Sequence, residues 1–228
     1  MVAAYKQNDR FLLAIDCIIF GFDGLRLKAL LIKRSFEPER GNWSLMGGFV
    51  KEQESVDDAA RRILYQLTGL DKVYMEQLQC FGDVGRDPAG RVISIAYFAL
   101  IKIADYSSNL MEWHNAAWFD LDQVPQLIVD HQKMLDLAKD RLRQKVSNHP
   151  IGFELLPQIF TLPQLQALYE AIYATPFDKR NFSKKILSLQ ILNKLDEKGK
   201  ETSRKGAYYY VFDPVKYHEL EKNGVKLV

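Results

Sequence analysis

Apolar positions in the first half of the chain recur in two rhythms, and each change of rhythm marks an element. Phe11 to Phe22 (FLLAIDCIIFGF) and Leu25 to Lys33 (LRLKALLIK) are β-rich runs joined at Asp23-Gly24, a strong short hairpin signal. Arg34 to Asn42 is a polar loop leading to Trp43. From Val56 to Thr68 the rhythm becomes helical. Val56, Ala60, Ile63, Leu64 and Leu67 share one stripe, Ser55 and Asp58 form a capping box, and Gly69 supplies the stop. Val73 to Gly82 and Val92 to Ile103 (VISIAYFALIKI) return to strand, with a polar turn at Arg86 to Arg91 between them. Asp16 interrupts the first apolar run. A carboxylate there either sits at a sheet edge or faces a cavity, and it needs a partner.

The second half is patterned differently. Asp130 to Val146 places Met134, Leu135, Leu137, Ala138, Leu142 and Val146 at helical spacing, with basic residues crowded toward its end. Phe153 to Phe160 reads as a short edge strand interrupted by Pro157. Thr161-Leu162-Pro163-Gln164 is a second capping box opening a helix to about Ala174, and Asp178 caps a third helix over Lys179 to Leu187. In that helix Phe182, Ile186 and Leu187 are expected to face inward, and Lys179, Arg180, Ser183 and Lys184 outward. Gln190 to Leu195 and Ala207 to Phe212 form a hairpin around the polar loop Asp196 to Gly206, and alternation should expose at least one face of Tyr208-Tyr209-Tyr210.

Composition makes this an ordinary globular chain: 228 residues, 47% hydrophobic and 26% charged. Cys17 and Cys80 lie in apolar runs without metal-ligand spacing, which predicts free buried thiols and a reducing, cytoplasmic setting. No signal peptide or membrane span is expected. The net charge of +2 hides an asymmetry: residues 1–127 carry 14 Lys and Arg against 17 Asp and Glu, a net −3, whereas residues 128–228 carry 17 against 12, a net +5. Two domains are expected, 1–127 and 128–228, with different electrostatic tasks.

Gly47 to Leu70 (GGFVKEQESVDDAARRILYQLTGL) resembles a Nudix box. Gly48, Glu54, Arg62, Leu64, Gly69 and Leu70 stand in register with that family's signature, and Trp43 to Phe49 resembles the strand and loop before its helix. Three glutamates of the signature are missing, their positions holding Ile63, Gln66 and Leu67. A magnesium site needs several carboxylate oxygens converging on one side. With only Glu54 left, neither catalytic nor metal-binding residues are expected, and no cofactor. Arg62 can orient the loop before the helix through its carbonyls whether or not metal binds. The resemblance implies an α+β fold for the front half, a mixed sheet between helices, with Trp113 to Phe119 as its closing strand.

Helix, strand, helix, helix, hairpin is the order of a winged helix-turn-helix. Between Lys179 and Lys205 stand nine basic residues (Lys179, Arg180, Lys184, Lys185, Lys194, Lys198, Lys200, Arg204, Lys205) against three acidic ones. That is the footprint of duplex binding, in which a helix enters the major groove and a wing tracks phosphates. The candidate DNA-binding residues are Lys179, Arg180, Asn181, Ser183, Lys184, Lys185, Lys200, Arg204 and Lys205. Display of a stacking aromatic, the mark of an RNA reader, is weaker, since Phe182 looks buried.

Together the two halves resemble the Nudix-related transcriptional regulators of bacteria, in which a front sensor controls a DNA-binding back domain and a homodimer acts on palindromic operators. The eroded box favours the sugar-catabolism branch and a metal-free pentose effector such as L-arabinose. The alternatives are an ADP-ribose sensor and a hydrolase of nucleoside diphosphate derivatives. Asp16, Lys33, Arg34, Trp43, Glu54, Arg86 and Tyr97 are the candidate effector-binding residues, and the Asp130 to Val146 helix is the candidate transmitter between domains.

Overall fold

The computed structural model describes residues 6–105, 112, 114–199 and 206–222. The front half is a seven-stranded mixed sheet: β1 (Leu12–Phe22), β2 (Leu27–Lys33), β3 (Trp43–Ser44), β4 (Met46–Phe49), β5 (Tyr74–Phe81), β6 (Val92–Lys102) and β7 (Ala116–Asp120). Its spine runs β3-β2-β1-β6-β5, with β4 pairing β1 and β7 pairing β2. Among the described strand pairs of this sheet only β1–β6 is parallel, and an isolated parallel bridge joins Trp43 to Leu127. The hairpin forms at Asp23-Gly24, where Asp23 Oδ1 accepts from the Leu25 and Arg26 amides at 2.9 and 2.7 Å. Trp113, in the expected closing strand, lies outside the described residues.

Alternation along β1 divides the core. Ile15, Cys17 and Ile19 pack against α1 (Val56–Thr68), with Ala59, Ala60, Ile63 and Leu64. Helix α1 begins and ends as its caps dictate: Ser55 Oγ accepts from the Asp58 amide at 3.1 Å, and Gly69 adopts the left-handed conformation at φ 73°. On the opposite face Ile18, Phe20 and Phe22 join Phe98 and Leu100 in a cluster that includes α2 (His131–Asn148) through Met134, Leu135, Ala138 and Leu142.

The same cluster continues into the back half through Val146, Leu165, Leu168, Tyr169, Phe182 and Ile186. This half comprises α3 (Leu162–Tyr173), α4 (Lys179–Ser188) and a three-stranded sheet ordered β8 (Phe160–Thr161), β10 (Ala207–Phe212), β9 (Leu192–Gly199), followed by α5 (Pro214–Lys222), which the sequence reading did not anticipate. Helix α2 is fastened to both halves. Arg141 and Lys145 reach Glu76 of β5 at 3.5 and 2.9 Å, while Arg143 Nε donates to the Ile172 carbonyl at 3.0 Å and the Tyr173 hydroxyl to the Arg143 carbonyl at 3.1 Å.

Several expectations are corrected. Phe153 to Phe160 is not a strand: Pro150 starts a 3-10 turn through Leu155, and only Phe160–Thr161 pairs, at the edge beside β10. Leu187 faces solvent, being 43% exposed, because one helical step beyond Ile186 leaves the buried stripe. Cys80 is exposed while Cys17 is buried. Among the described residues no helix is long and apolar enough to cross a membrane.

Candidate functional site

Where the second face of the sheet leaves the apolar cluster it opens into a cleft of about 260 Å³. Ala14 and Asp16 of β1 form its floor, Gly47, Gly48 and Phe49 one wall, the Arg34 to Glu39 loop another, and His131 at the start of α2 closes it with Arg86. Asp16 lies on the central strand, so the sheet-edge alternative is excluded and the cavity alternative holds.

A buried carboxylate needs partners, and Asp16 draws them from distant segments. The Ser94 hydroxyl donates to Oδ2 at 2.5 Å, Arg86 Nη2 lies 3.9 Å from the same oxygen, and His131 Nε2 lies 3.7 Å from Oδ1. Gly47 is its register partner on β4, and a Cβ there would overlap Asp16 Oδ1 and the Ile15 carbonyl. Gly48 in turn makes room for Ile63. The paired glycines therefore admit a carboxylate on one face and an apolar side chain on the other.

His131 accepts the Leu45 amide at Nδ1, 3.0 Å away, which places its proton on Nε2 toward Asp16. Burial pushes its pKa below the ordinary imidazole value, against the opposing pull of Asp16 and Asp130. Arg86 forks onto Asp130 with Nε to Oδ2 at 2.8 Å and Nη2 to Oδ1 at 2.6 Å. Asp130 is the N-terminal flanking residue of α2, yet its side chain caps nothing and is held by Arg86 instead. Arg34 is in no salt bridge among the described residues. Its guanidinium stacks on Phe36, 4.0 Å from the ring centroid, at the mouth of the cleft.

Of the seven candidate effector residues, Asp16, Arg34 and Arg86 come together here, and four do not. Tyr97 registers beside Cys17 on β1, out of phase with Asp16, so it faces α1 and donates its hydroxyl to Asp57. Trp43 packs edge-on against Phe119, centroids 4.7 Å apart, and Lys33 Nζ lies over the Trp43 ring, 5.3 Å from its centroid. Glu54 is spent on Arg62, whose Nε and Nη2 reach it at 2.8 and 2.5 Å, and is thereby held well below the usual carboxylate range, at about 2. Arg62 also donates to the Phe49 carbonyl at 3.0 Å and to Gln66 Oε1 at 3.3 Å. Sequence reasoning missed His131 and Ser94, although His131 stands at helical spacing from Met134 and Leu135 on the buried stripe.

The box helix offers little to a cation. Ile63 is buried, Leu67 is half-buried against the same cluster, and among the described residues no group of three or more His, Cys, Asp or Glu side chains converges on one point. In the back half, Asp178 Oδ1 accepts from the Asn181 amide at 2.8 Å, and Lys179, Arg180, Asn181, Lys184 and Lys185 are exposed along α4 while Ser183 is half-buried. Lys200, Arg204 and Lys205 lie outside the described residues.

Residues 10–138 match the NUDIX domain model, and residues 152–212 match the NrtR DNA-binding winged helix domain. The chain is 32% identical over 217 residues, 92% of its length and 86% of the relative's, to the ADPR responsive transcriptional repressor NtrR of Acinetobacter baylyi. It belongs to the NrtR-like family of Nudix-domain transcriptional regulators. Shewanella oneidensis NrtR in complex with a 27mer DNA superposes with a TM-score of 0.79 at 30% identity, over 90% of this chain and 95% of that one. The isolated NUDIX domain of that protein, crystallised with ADP ribose, matches at a TM-score of 0.50 and 30% identity, over 62% and 99% of the two chains. The NrtR-like assignment leaves the sugar-catabolism branch unsupported. The front domain alone is 38% identical over 118 residues, 52% of this chain and 68% of the other, to an ADP-ribose pyrophosphatase of Methanocaldococcus jannaschii.

Proposed function

We propose that the chain is a transcriptional repressor whose front domain binds ADP-ribose and thereby releases operator DNA from the back domain. The observation that carries this reading is that the cleft is lined by His131 of α2 and by Arg86, which forks onto Asp130 at the start of that helix, while the far end of α2 is hydrogen-bonded to α3 of the winged domain through Arg143. The relatives named for ADP-ribose make it a better effector than L-arabinose, and the cleft suits its chemistry. Arg34, a cation without a carboxylate, meets a pyrophosphate, Phe36 offers a ring face, and Asp16 accepts from ribose hydroxyls.

Occupancy that favours one placement of α2 over another shifts the population away from the DNA-competent form. A coupling of about 1 to 3 kcal/mol changes operator affinity roughly 5- to 150-fold, enough for a switch. The active form is a homodimer on a palindromic duplex.

Hydrolysis of the ligand is the second reading, favoured by the pyrophosphatase relative and by the retained Glu54. It is the weaker one, because Ile63, Gln66 and Leu67 supply no carboxylate and Glu54 is committed to Arg62. Fluorescence anisotropy of the full-length protein on a labelled duplex from upstream of its own gene tests both, with ADP-ribose and L-arabinose titrated with and without magnesium. Metal-independent release by ADP-ribose is expected. Magnesium-dependent appearance of AMP would move the chain to the enzymes, and release by L-arabinose alone would restore the sugar effector.

A further inference from the structure

The β9–β10 hairpin departs from a regular ladder in a way that concerns its lysines. Tyr208 registers with Lys198 and Tyr210 with Lys194, so the stretch of β9 opposite Tyr209 holds more residues than the ladder needs. In a regular strand Lys194 and Lys198 would stand about 13 Å apart along the chain. The bulge instead lets both converge on one ring. Lys194 Nζ lies 3.4 Å and Lys198 Nζ 4.4 Å from the centroid of Tyr208. All three residues are exposed, Tyr208 by 37%, and among the described residues neither lysine is in a salt bridge. Asp196 and Glu197 lie between them in sequence and are exposed as well.

Two unpaired ammoniums held together repel each other, and a solvated lysine has no reason to surrender its rotamer freedom to a neighbour of like charge. The electron-rich face of Tyr208 compensates, because each cation gains from the ring quadrupole and keeps N–H donors free on its outer side. What remains is a preorganised pair of cations on the wing, both held at one ring. Tyr210, by contrast, is buried in the core, so Tyr208 alone of these two rings is available for the task.

We propose that Tyr208 is a positioning residue for nucleic-acid backbone binding, whose ring holds Lys194 and Lys198 as a two-cation clamp on neighbouring phosphates. The proposal rests on the DNA-binding reading of the back half. It assigns the wing's contribution to strand residues next to the turn and gives a specific task to an exposed tyrosine.

The test is the salt dependence of full-length protein binding to a fluorescein-labelled, mixed-sequence 30-base-pair duplex. For each cation set on a phosphate, the slope of log affinity against log salt steepens by about 0.9. Lys194→Gln/Lys198→Gln is expected to flatten the slope by about 1.8 and to weaken binding by well over tenfold at 100 mM salt. Tyr208→Leu should reproduce a large part of that loss, Tyr208→Phe should retain wild-type behaviour, and Tyr208→Leu placed on the double lysine variant should add nothing. If wild type shows salt-sensitive binding and the lysine variant has an unchanged slope, the clamp is wrong and the DNA-binding reading stands. If Tyr208→Leu and Tyr208→Phe lose affinity equally, or the Leu variant keeps full affinity, the ring has no positioning role. A Leu variant that fails to melt like wild type leaves the decision to the lysine and Phe variants, of which a weakened Phe variant overturns the role of the ring. Absence of salt-sensitive binding by wild type removes both readings.

Discussion

Arg86 and Asp130 form a forked ion pair that joins the turn before β6 to the residue flanking the N-terminus of α2, with Nε to Oδ2 at 2.8 Å and Nη2 to Oδ1 at 2.6 Å. The Arg86 side chain is only 5% exposed, and its second acidic neighbour is Asp16 in the cleft. The pair therefore links the position of α2 to whatever occupies the space around Asp16. Arg86→Met removes the cation and leaves two carboxylates behind. Breaking a buried pair costs about 3 to 5 kcal/mol, and since Asp130 retains some solvent contact a loss of about 2 to 3 kcal/mol is expected in urea unfolding at pH 7. The same variant should bind duplex DNA but respond to ADP-ribose several-fold less than wild type. A full response would show that this pair is not part of the coupling.

Gly47 and Gly48 make opposite predictions although they are adjacent. A Cβ on Gly47 meets the Ile15 carbonyl and the Asp16 carboxylate, which are backbone and a held side chain, whereas one on Gly48 meets Ile63 Cδ1 at 3.1 Å, the end of a side chain that can turn. Overpacking of an unyielding site costs about 1 to 3 kcal/mol. Gly47→Ala is expected in that range and Gly48→Ala below about 1 kcal/mol. Equal melting temperatures for the two variants would contradict the geometry.

The elements set by short-range chemistry are legible in the chain alone. Ser55 with Asp58, Thr161 with Gln164, Asp178 with Asn181 and the Asp23-Gly24 turn each act within a few residues, and all sit where their spacing predicts. The cleft is not legible in that way. Asp16 advertises that it needs a partner, but Ser94 lies 78 residues away, and its meeting with Asp16 depends on the parallel register of β1 with β6. That register also decides that Tyr97 turns away from Asp16, a parity no local pattern carries. Phe153 to Phe160 fails for a local reason. Its apolar residues suit a strand, but Pro150 favours a helical first turn and Pro157 has no amide to give a ladder.

The exposed face of α4 should read sequence while its buried face holds the fold. Arg180→Ala is expected to weaken binding to the chain's own upstream duplex by about 1 to 3 kcal/mol and leave ADP-ribose affinity unchanged. Phe182→Ala empties a site packed edge-on against Tyr169, centroids 5.7 Å apart, and should cost about 3 to 5 kcal/mol of stability. Normal duplex binding by Arg180→Ala, measured by anisotropy, would remove α4 from the recognition role.

His131 sets a pH dependence distinct from that of the surface carboxylates. Burial is the main cause of its lowered pKa, so between its folded value and the unfolded value of 6.5 the unfolded chain binds the extra proton. The stability due to the neutral ring is therefore complete above about pH 6.5 and is lost as pH falls below it. Asp16 and Asp130 oppose the shift, while Arg86 and Arg34 reinforce it. Glu54, Asp120 and Asp213 also have lowered values, but a carboxylate of that kind loses its contribution only as pH falls below about 4.5. Unfolding free energy measured from pH 7.5 to 5.5 should accordingly decline in wild type and stay nearly level in His131→Gln, whose amide can still meet the Leu45 N–H. Parallel curves for the two proteins would mean that another group titrates in this window and that the His131 imidazole is not held neutral by its burial.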